Sequence, residues 1–137
     1  SNTNGMEHAM YYAETDFEGL CFVNLVDFDM LFGHRRDIDG YARALSEFDA
    51  WLPKLLEKLG DEDIVMITAD HGCDPSDSST DHTREYIPLI IYGRSMEPKN
   101  LGTILGFDAV GTLICRIFGV AYSDNMNGAI ADALGIM

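Results

Sequence analysis

Basic residues are scarce in this sequence, which has 9 lysines and arginines against 23 aspartates and glutamates and a formal net charge of −14. Nucleic acids and anionic membrane surfaces carry the same sign of charge, so the composition argues against both as partners. A phosphate ester would also be repelled, unless a cation held by the protein reversed the local field. A phosphate-binding function would therefore require a bound metal or a similar positive group.

Long apolar runs and paired cysteines are also missing. No apolar run approaches the roughly 20 residues of a membrane-spanning helix, and the first residues lack the basic-then-apolar pattern of an export signal. The cysteines Cys21, Cys73 and Cys115 are odd in number, far apart and without CxxC spacing. They fit a reducing compartment better than a disulfide framework. We therefore expect a cytoplasmic protein.

Short apolar runs and one long amphipathic segment predict an α/β fold. Leu20–Val26 is a nearly continuous apolar run, typical of a strand buried on both faces in a parallel sheet. A helix should follow Asp37 and end at Gly60, because apolar residues recur there every three or four positions: Tyr41, Leu45, Phe48, Leu52, Leu55 and Leu59. With Ile64–Thr68 as the next strand, this strand–helix–strand unit favours a parallel crossover.

The rest of the chain continues the same pattern. Ile87–Tyr92 reads as a third strand, and Pro88 indicates an edge position or the first residues of that strand. Helical segments are predicted near residues 5–15, 107–118 and 127–134. No repeat or linker interrupts the sequence, so we expect residues 1–137 to form one α/β domain.

Aspartate and histidine residues cluster where the predicted strands meet their loops. They are Asp27 and Asp29, His34, Asp70 and His71, and Asp81 and His82. Ligands of open α/β sheets bind at the carboxyl ends of the strands. Carboxylate oxygen and neutral imidazole nitrogen together suit a divalent transition metal. Such an ion would also offset the desolvation of a carboxylate beside a buried strand.

Simpler interpretations exist for each of these residues. A single aspartate after a strand is usually a turn or cap residue, and a single histidine such as His8 is usually an ordinary hydrogen-bonded residue. Cys73 lies near the cluster, where a packed small residue is the simpler interpretation than a soft ligand. The spacing matches no zinc-finger or HExxH pattern. Residue types alone therefore leave both a metal site and a set of turn residues open.

Three motifs resemble the phosphopentomutase family of the alkaline phosphatase superfamily. They are NLVDFDMLFGHRRD (residues 24–37), ITADHGCDP (67–75) and TDHTREYIPLIIYG (80–93). The resemblance implies a three-layer α/β/α sandwich with a mostly parallel sheet. It also implies interconversion of ribose or deoxyribose 1-phosphate and 5-phosphate, with two manganese ions, a phosphorylated threonine and a sugar bisphosphate activator.

The same resemblance assigns the candidate ligands. Asp29, His34 and His82 match the ligands of one manganese ion, and Asp70 and His71 match two ligands of the other. The polar loop between residues 70 and 82 would then be a strap with a metal at each end.

Parts of the family pattern have no counterpart in these residues. They are the N-terminal strand with a further aspartate ligand, the segment with the nucleophilic threonine, and the inserted cap domain. Thr68, Thr80 and Thr83 belong to the metal-loop motifs. The resemblance therefore implies a C-terminal core segment with one complete metal site, without a catalytic nucleophile, and inactive by itself.

Three other functions remain open at this point. The chain could belong to a different phosphotransferase or hydrolase of the alkaline phosphatase superfamily, although the motifs around His34 and His82 argue against this. It could be a non-catalytic metal-binding module, or a Rossmann-like domain without a site.

Overall fold

The structure, a computed structural model, describes all 137 residues and contains four α-helices and a two-stranded sheet. The helices and strands are α1 (Asn2–Ala13), α2 (Ile38–Lys58), β1 (Val65–Thr68), β2 (Leu89–Tyr92), α3 (Asp108–Ile117) and α4 (Ala129–Leu134). None of the helices combines the length and the apolarity needed to cross a bilayer. The chain divides into two compact units, residues 1–96 and 97–137. The expected single domain over residues 1–137 stays a prediction.

The predicted long helix is present as α2. The Asp37 carboxylate accepts a hydrogen bond from the Gly40 amide at 2.9 Å and caps the first turn. The apolar stripe is buried at Leu55 and Leu59, as the spacing predicts. Leu45 was predicted on this stripe and is 49% exposed. At about 100° per residue it lies at the edge of the stripe, away from the buried face.

The two strands of the sheet are antiparallel. Val65 pairs with Tyr92 and Thr68 pairs with Leu89, so the predicted runs around 64–68 and 87–92 do form strands. Pro88 directly precedes β2 and donates no ladder hydrogen bond; its carbonyl accepts one from the Thr68 hydroxyl at 2.9 Å. The parallel unit expected from residues 20–26, the long helix and residues 64–68 is not formed; the two strands that do pair are connected by the polar loop, and they are antiparallel.

The predicted strand Leu20–Val26 is not formed. The segment has no ladder partner, and Leu20 and Phe22 are 59% and 83% exposed. An apolar run indicates what a segment tends to bury, whereas a strand also needs a neighbour for its backbone groups. The mostly parallel sheet is therefore not found in these residues, and the three-layer sandwich stays a prediction.

The second unit is built from α3 and α4, both of which the sequence predicts. Leu113, Thr112 and Ile130 are completely buried. Arg116 donates hydrogen bonds to the Asp132 carboxylate at 2.5 Å and to the Tyr122 hydroxyl at 2.7 Å. The hydrogen bond to Asp132 raises the pKa of Arg116. This network connects α3 to α4.

We expect Leu55→Ala to lower the free energy of unfolding by about 2–5 kcal/mol, because it removes a side chain that is only 9% exposed. Leu45→Ala, on the exposed edge of the same helix, should cost less than about 1 kcal/mol. Urea unfolding monitored by circular dichroism measures both values. Equal losses in the two variants would contradict the assigned buried face of α2.

Candidate metal centre

A π-helical turn over Phe28–Gly33 carries the first candidate ligands. The His34 amide donates to the Asp29 carbonyl at 3.0 Å, a hydrogen bond between residues five apart. In an α-helix, residues five apart point about 140° away from each other. The wider turn brings them onto one side, and Asp29 Oδ1 lies 3.4 Å from His34 Nε2. The spacing of Asp29 and His34 thus has a structural cause.

Gly33 brings this turn against the 70–82 segment, which we call the strap. Gly33 is buried, and a β-carbon there would collide with the Cys73 sulfur and lie 3.0 Å from the Phe28 carbonyl. Only glycine therefore allows Cys73 to pack against the turn without displacement. The contact joins the two chain segments that carry the candidate ligands.

The two ends of the strap meet each other. Gly72 and Thr83 form an isolated antiparallel bridge, in which the Thr83 amide donates to the Gly72 carbonyl at 3.1 Å. Beside this bridge the His71 and His82 rings stack, with centroids 3.6 Å apart and planes 15° apart. His34 follows at 4.9 Å from the His82 ring. Three of the four histidines of the chain therefore form one cluster.

The Asp29 carboxylate lies at the centre of this cluster. Its Oδ1 atom is 3.4 Å from His34 Nε2, 3.4 Å from His82 Nε2 and 3.8 Å from His71 Nε2. Asp70 Oδ1 lies 3.5 Å from His71 Nε2. All five predicted ligands are thus brought together.

The geometry of Asp29 fits a metal ion better than a hydrogen bond. Its Oδ1 atom is buried and has no hydrogen-bond partner, and every imidazole nitrogen lies beyond the usual limit of about 3.2 Å. Two ligands held at about 2.1 Å from one tetrahedral ion lie about 3.4 Å apart. Donor atoms of Asp29, His71 and His82 all lie within 4.8 Å of one another. An ion among these atoms would satisfy the buried oxygen.

Backbone carbonyls orient two of the imidazoles. His34 Nδ1 is 2.5 Å from the Thr80 carbonyl oxygen, and His71 Nδ1 is 3.0 Å from the Gly72 carbonyl oxygen. Because a carbonyl only accepts, each Nδ1 carries the hydrogen and donates it. The lone pair of the neutral ring is then on Nε2, the atom that faces Asp29. No sequence pattern indicates the contribution of Thr80, since it comes from the backbone.

The division into two metal sites stays a prediction. Asp29 lies near His71 as well as near His34 and His82, so the two expected ligand sets adjoin each other. The Asp70 side chain is 84% exposed and forms the open side of the cluster. His8 lies on α1, where its Nδ1 atom contacts the Asn4 carbonyl at 2.8 Å, consistent with its interpretation as an ordinary residue.

Two neutral side chains adjoin the Asp29 carboxylate. Burial, and then the charge of Asp29, raise the pKa of the Cys73 thiol. Burial raises the pKa of the Tyr41 hydroxyl, with smaller effects from Cys73 and Asp29. Both groups therefore remain protonated at neutral pH. The sequence marks Tyr41 only as a core residue of α2, and its position near the cluster could not be predicted.

Comparisons with known proteins identify the family of this chain. The family model described as the Metalloenzyme superfamily matches residues 1–122, and the chain belongs to this superfamily. Within it, the chain is similar to phosphopentomutases. It is 58% identical to the phosphopentomutase of Lachnoclostridium phytofermentans over 121 residues, which are 88% of this chain and 31% of that protein.

A second relative gives the same result. The phosphopentomutase of Acetivibrio thermocellus is 50% identical over 128 residues, which are 93% of this chain and 32% of that protein. The resemblance drawn from the three motifs is thereby confirmed. The chain spans about a third of the length of these relatives. Superfamily membership implies a metal without specifying which one.

We expect iodoacetamide to label Cys73 more slowly than the exposed Cys21 at pH 7.5. The thiolate is the reactive species, and the raised pKa of Cys73 lowers its thiolate fraction. Mass spectrometry of peptides from one sample measures both rates. The rates should converge in urea, where burial and the nearby charge of Asp29 are lost. Equal rates in the folded chain would contradict the environment assigned to Cys73.

Proposed function

We propose that this chain is the metal-holding segment of a phosphopentomutase, an isomerase that interconverts the 1-phosphate and 5-phosphate of ribose or deoxyribose. The observation that carries the proposal is the buried Asp29 oxygen, which has no hydrogen-bond partner and faces three imidazole nitrogens. The 58% identity to a phosphopentomutase supports the same conclusion.

Manganese is the proposed metal. Asp29, His34 and His82 would hold one ion, and Asp70 and His71 would contribute to a second. The group of candidate ligands in the structure offers oxygen and nitrogen donors and no sulfur, a set that suits such an ion. When bound, two adjacent ions supply positive charge that stabilises a phosphoryl group during transfer.

The residues of the chain contribute orientation and charge. The Thr80 carbonyl fixes the His34 ring, so that its Nε2 atom already faces Asp29 and would be oriented to hold the ion. The Oδ1 atom of Asp29 is buried, and an anionic oxygen out of contact with water interacts more strongly with a cation. In a chain of net charge −14, the ions would also reverse the field that repels a phosphate.

The nucleophile of the family lies outside these residues in our proposal. Two threonine hydroxyls near the cluster already have structural partners: Thr68 donates to the Pro88 carbonyl at 2.9 Å, and Thr83 donates to the Glu85 carboxylate. These hydrogen bonds support the interpretation of Thr68 and Thr83 as structural residues of the metal loops. A phosphorylated threonine would belong to another segment of the whole protein.

The wider properties of the enzyme follow from the same proposal. The substrate is a pentose phosphate and the activator a sugar bisphosphate. Residues 1–137 form the C-terminal part of a three-layer α/β/α core, whose cap domain and N-terminal strands come from other parts of the protein. The three free cysteines support a reducing, cytoplasmic location.

Manganese titration followed by calorimetry tests the metal site. We expect the unmodified chain to bind manganese. His82→Ala should bind it at least about tenfold more weakly, because it removes one of the three proposed ligands of the first ion. His8→Ala is the matched control and should bind as the unmodified chain does. Affinity should also fall as the pH is lowered, because protonated imidazole cannot ligate. Unchanged binding in His82→Ala would contradict the ligand assignment.

A chimera tests the enzymatic assignment. The matching 121-residue segment of the Lachnoclostridium phytofermentans phosphopentomutase is replaced by the corresponding residues of this chain. We expect the chimera to interconvert ribose 1-phosphate and ribose 5-phosphate, as followed by phosphorus NMR. The Asp29→Asn chimera should lose activity, and the His8→Ala chimera should retain it.

Residues 1–137 alone should give no conversion in the same assay, because the proposed nucleophile comes from elsewhere. A folded, manganese-binding chimera without mutase activity would contradict the proposal. Turnover by the isolated chain at about 1 s⁻¹ or faster would show instead that the nucleophile lies within these residues.

A further inference from the structure

The strap has few connections that fix its two ends to each other. Its internal hydrogen bonds are short-range: Asp74 accepts from Ser76, Asp77 from the Ser79 amide, and Ser79 from the Asp81 amide. These bonds shape local turns, but they do not determine where His82 lies relative to His71. The bridge between Gly72 and Thr83 is the connection that does so.

The Thr83 side chain reinforces this bridge with two further hydrogen bonds. Its hydroxyl accepts from the Asp74 amide at 2.8 Å and donates to the Glu85 carboxylate. A hydroxyl has a single hydrogen, so donation to Glu85 leaves its lone pairs available to Asp74. Both the backbone and the side chain of Thr83 therefore attach the far end of the strap to its near end.

The register of the bridge connects Thr83 to the histidine pair. Gly72 lies opposite Thr83, which makes His71 and His82 diagonal neighbours. Successive side chains of extended chain point to opposite faces, so both rings share the face away from the Thr83 hydroxyl. Their stacking at 3.6 Å agrees with this register. The Thr83 hydroxyl therefore lies on the face opposite the two rings, where it can support them without being a metal ligand.

We propose that Thr83 is a positioning residue of the metal centre, whose hydroxyl holds His82 over His71 in the arrangement that binds the ion. The inference rests on the proposed metal-binding function and adds a residue outside the ligand set. Gly72 supports it from the opposite side, because a β-carbon there would lie 2.7 Å from the Thr83 carbonyl and from the Glu85 amide. The two chain segments of the bridge lie too close together for any residue larger than glycine at position 72.

Calorimetric titration of residues 1–137 with manganese chloride tests the effect on the centre. Thr83→Val keeps the shape and removes the hydroxyl, and we expect it to weaken binding by about 10-fold or more, as for other residues that orient ligands. Thr83→Ser retains the hydroxyl and should bind within about threefold of the unmodified chain. Thr103→Val, at an exposed threonine of the second unit, is the matched control.

Proton NMR of the metal-free chain tests the positioning directly. Stacked imidazoles shift each other's ring protons, so the His71 and His82 resonances should move in Thr83→Val and stay in place in Thr83→Ser. The fold of each variant is checked in the same spectra through the dispersed amide and methyl signals.

The two measurements separate the possible failures. Absence of manganese binding by the unmodified chain would overturn the proposed function, while the ring resonances would still decide the role of Thr83. Unchanged ring resonances in Thr83→Val would overturn the inference. So would an equal loss of affinity in Thr83→Val and Thr83→Ser, because the hydroxyl would then not be the cause.

Discussion

The buried oxygen of Asp29 is the constraint on which the rest of the centre depends. A buried carboxylate oxygen without a hydrogen bond destabilises a fold unless a positive group compensates it. The π-helical turn, the glycine at position 33 and the stacked histidines bring imidazole nitrogens to this one atom. The local backbone is thus organised around a charge that the protein alone leaves unsatisfied, as expected for a site whose final component is a cation.

The sequence predicted the composition of the centre better than its geometry. Asp29, His34, Asp70, His71 and His82 were identified by residue type and motif, and the structure places them together. The Thr80 carbonyl could not be predicted, because a backbone group has no sequence signature. The role of Thr83 depends on which residue lies opposite it across the bridge, which is a tertiary property.

Helices were predicted more reliably than strands for a related reason. The pattern that defines α2 is local, with its cap at Asp37 and its stripe within one segment. A strand depends on a partner that the segment does not contain, so the apolar run at 20–26 was wrongly predicted to be a buried strand. Its exposed Phe22 and unpaired backbone resemble an open sheet edge, the feature that promotes intermolecular association in isolated chains.

The close contact between Gly33 and Cys73 has a consequence for how this sequence can vary. A β-carbon at position 33 would occupy the space of the Cys73 sulfur, so the two positions share one volume. A smaller residue at position 73 would remove the more severe of two clashes of alanine at position 33, whose β-carbon would still lie 3.0 Å from the Phe28 carbonyl and require a small shift of the turn. Substitutions at these two positions, far apart in the chain, are therefore epistatic: alanine at position 33 is less harmful once position 73 carries a smaller side chain, so the order of the two changes matters for neutral drift.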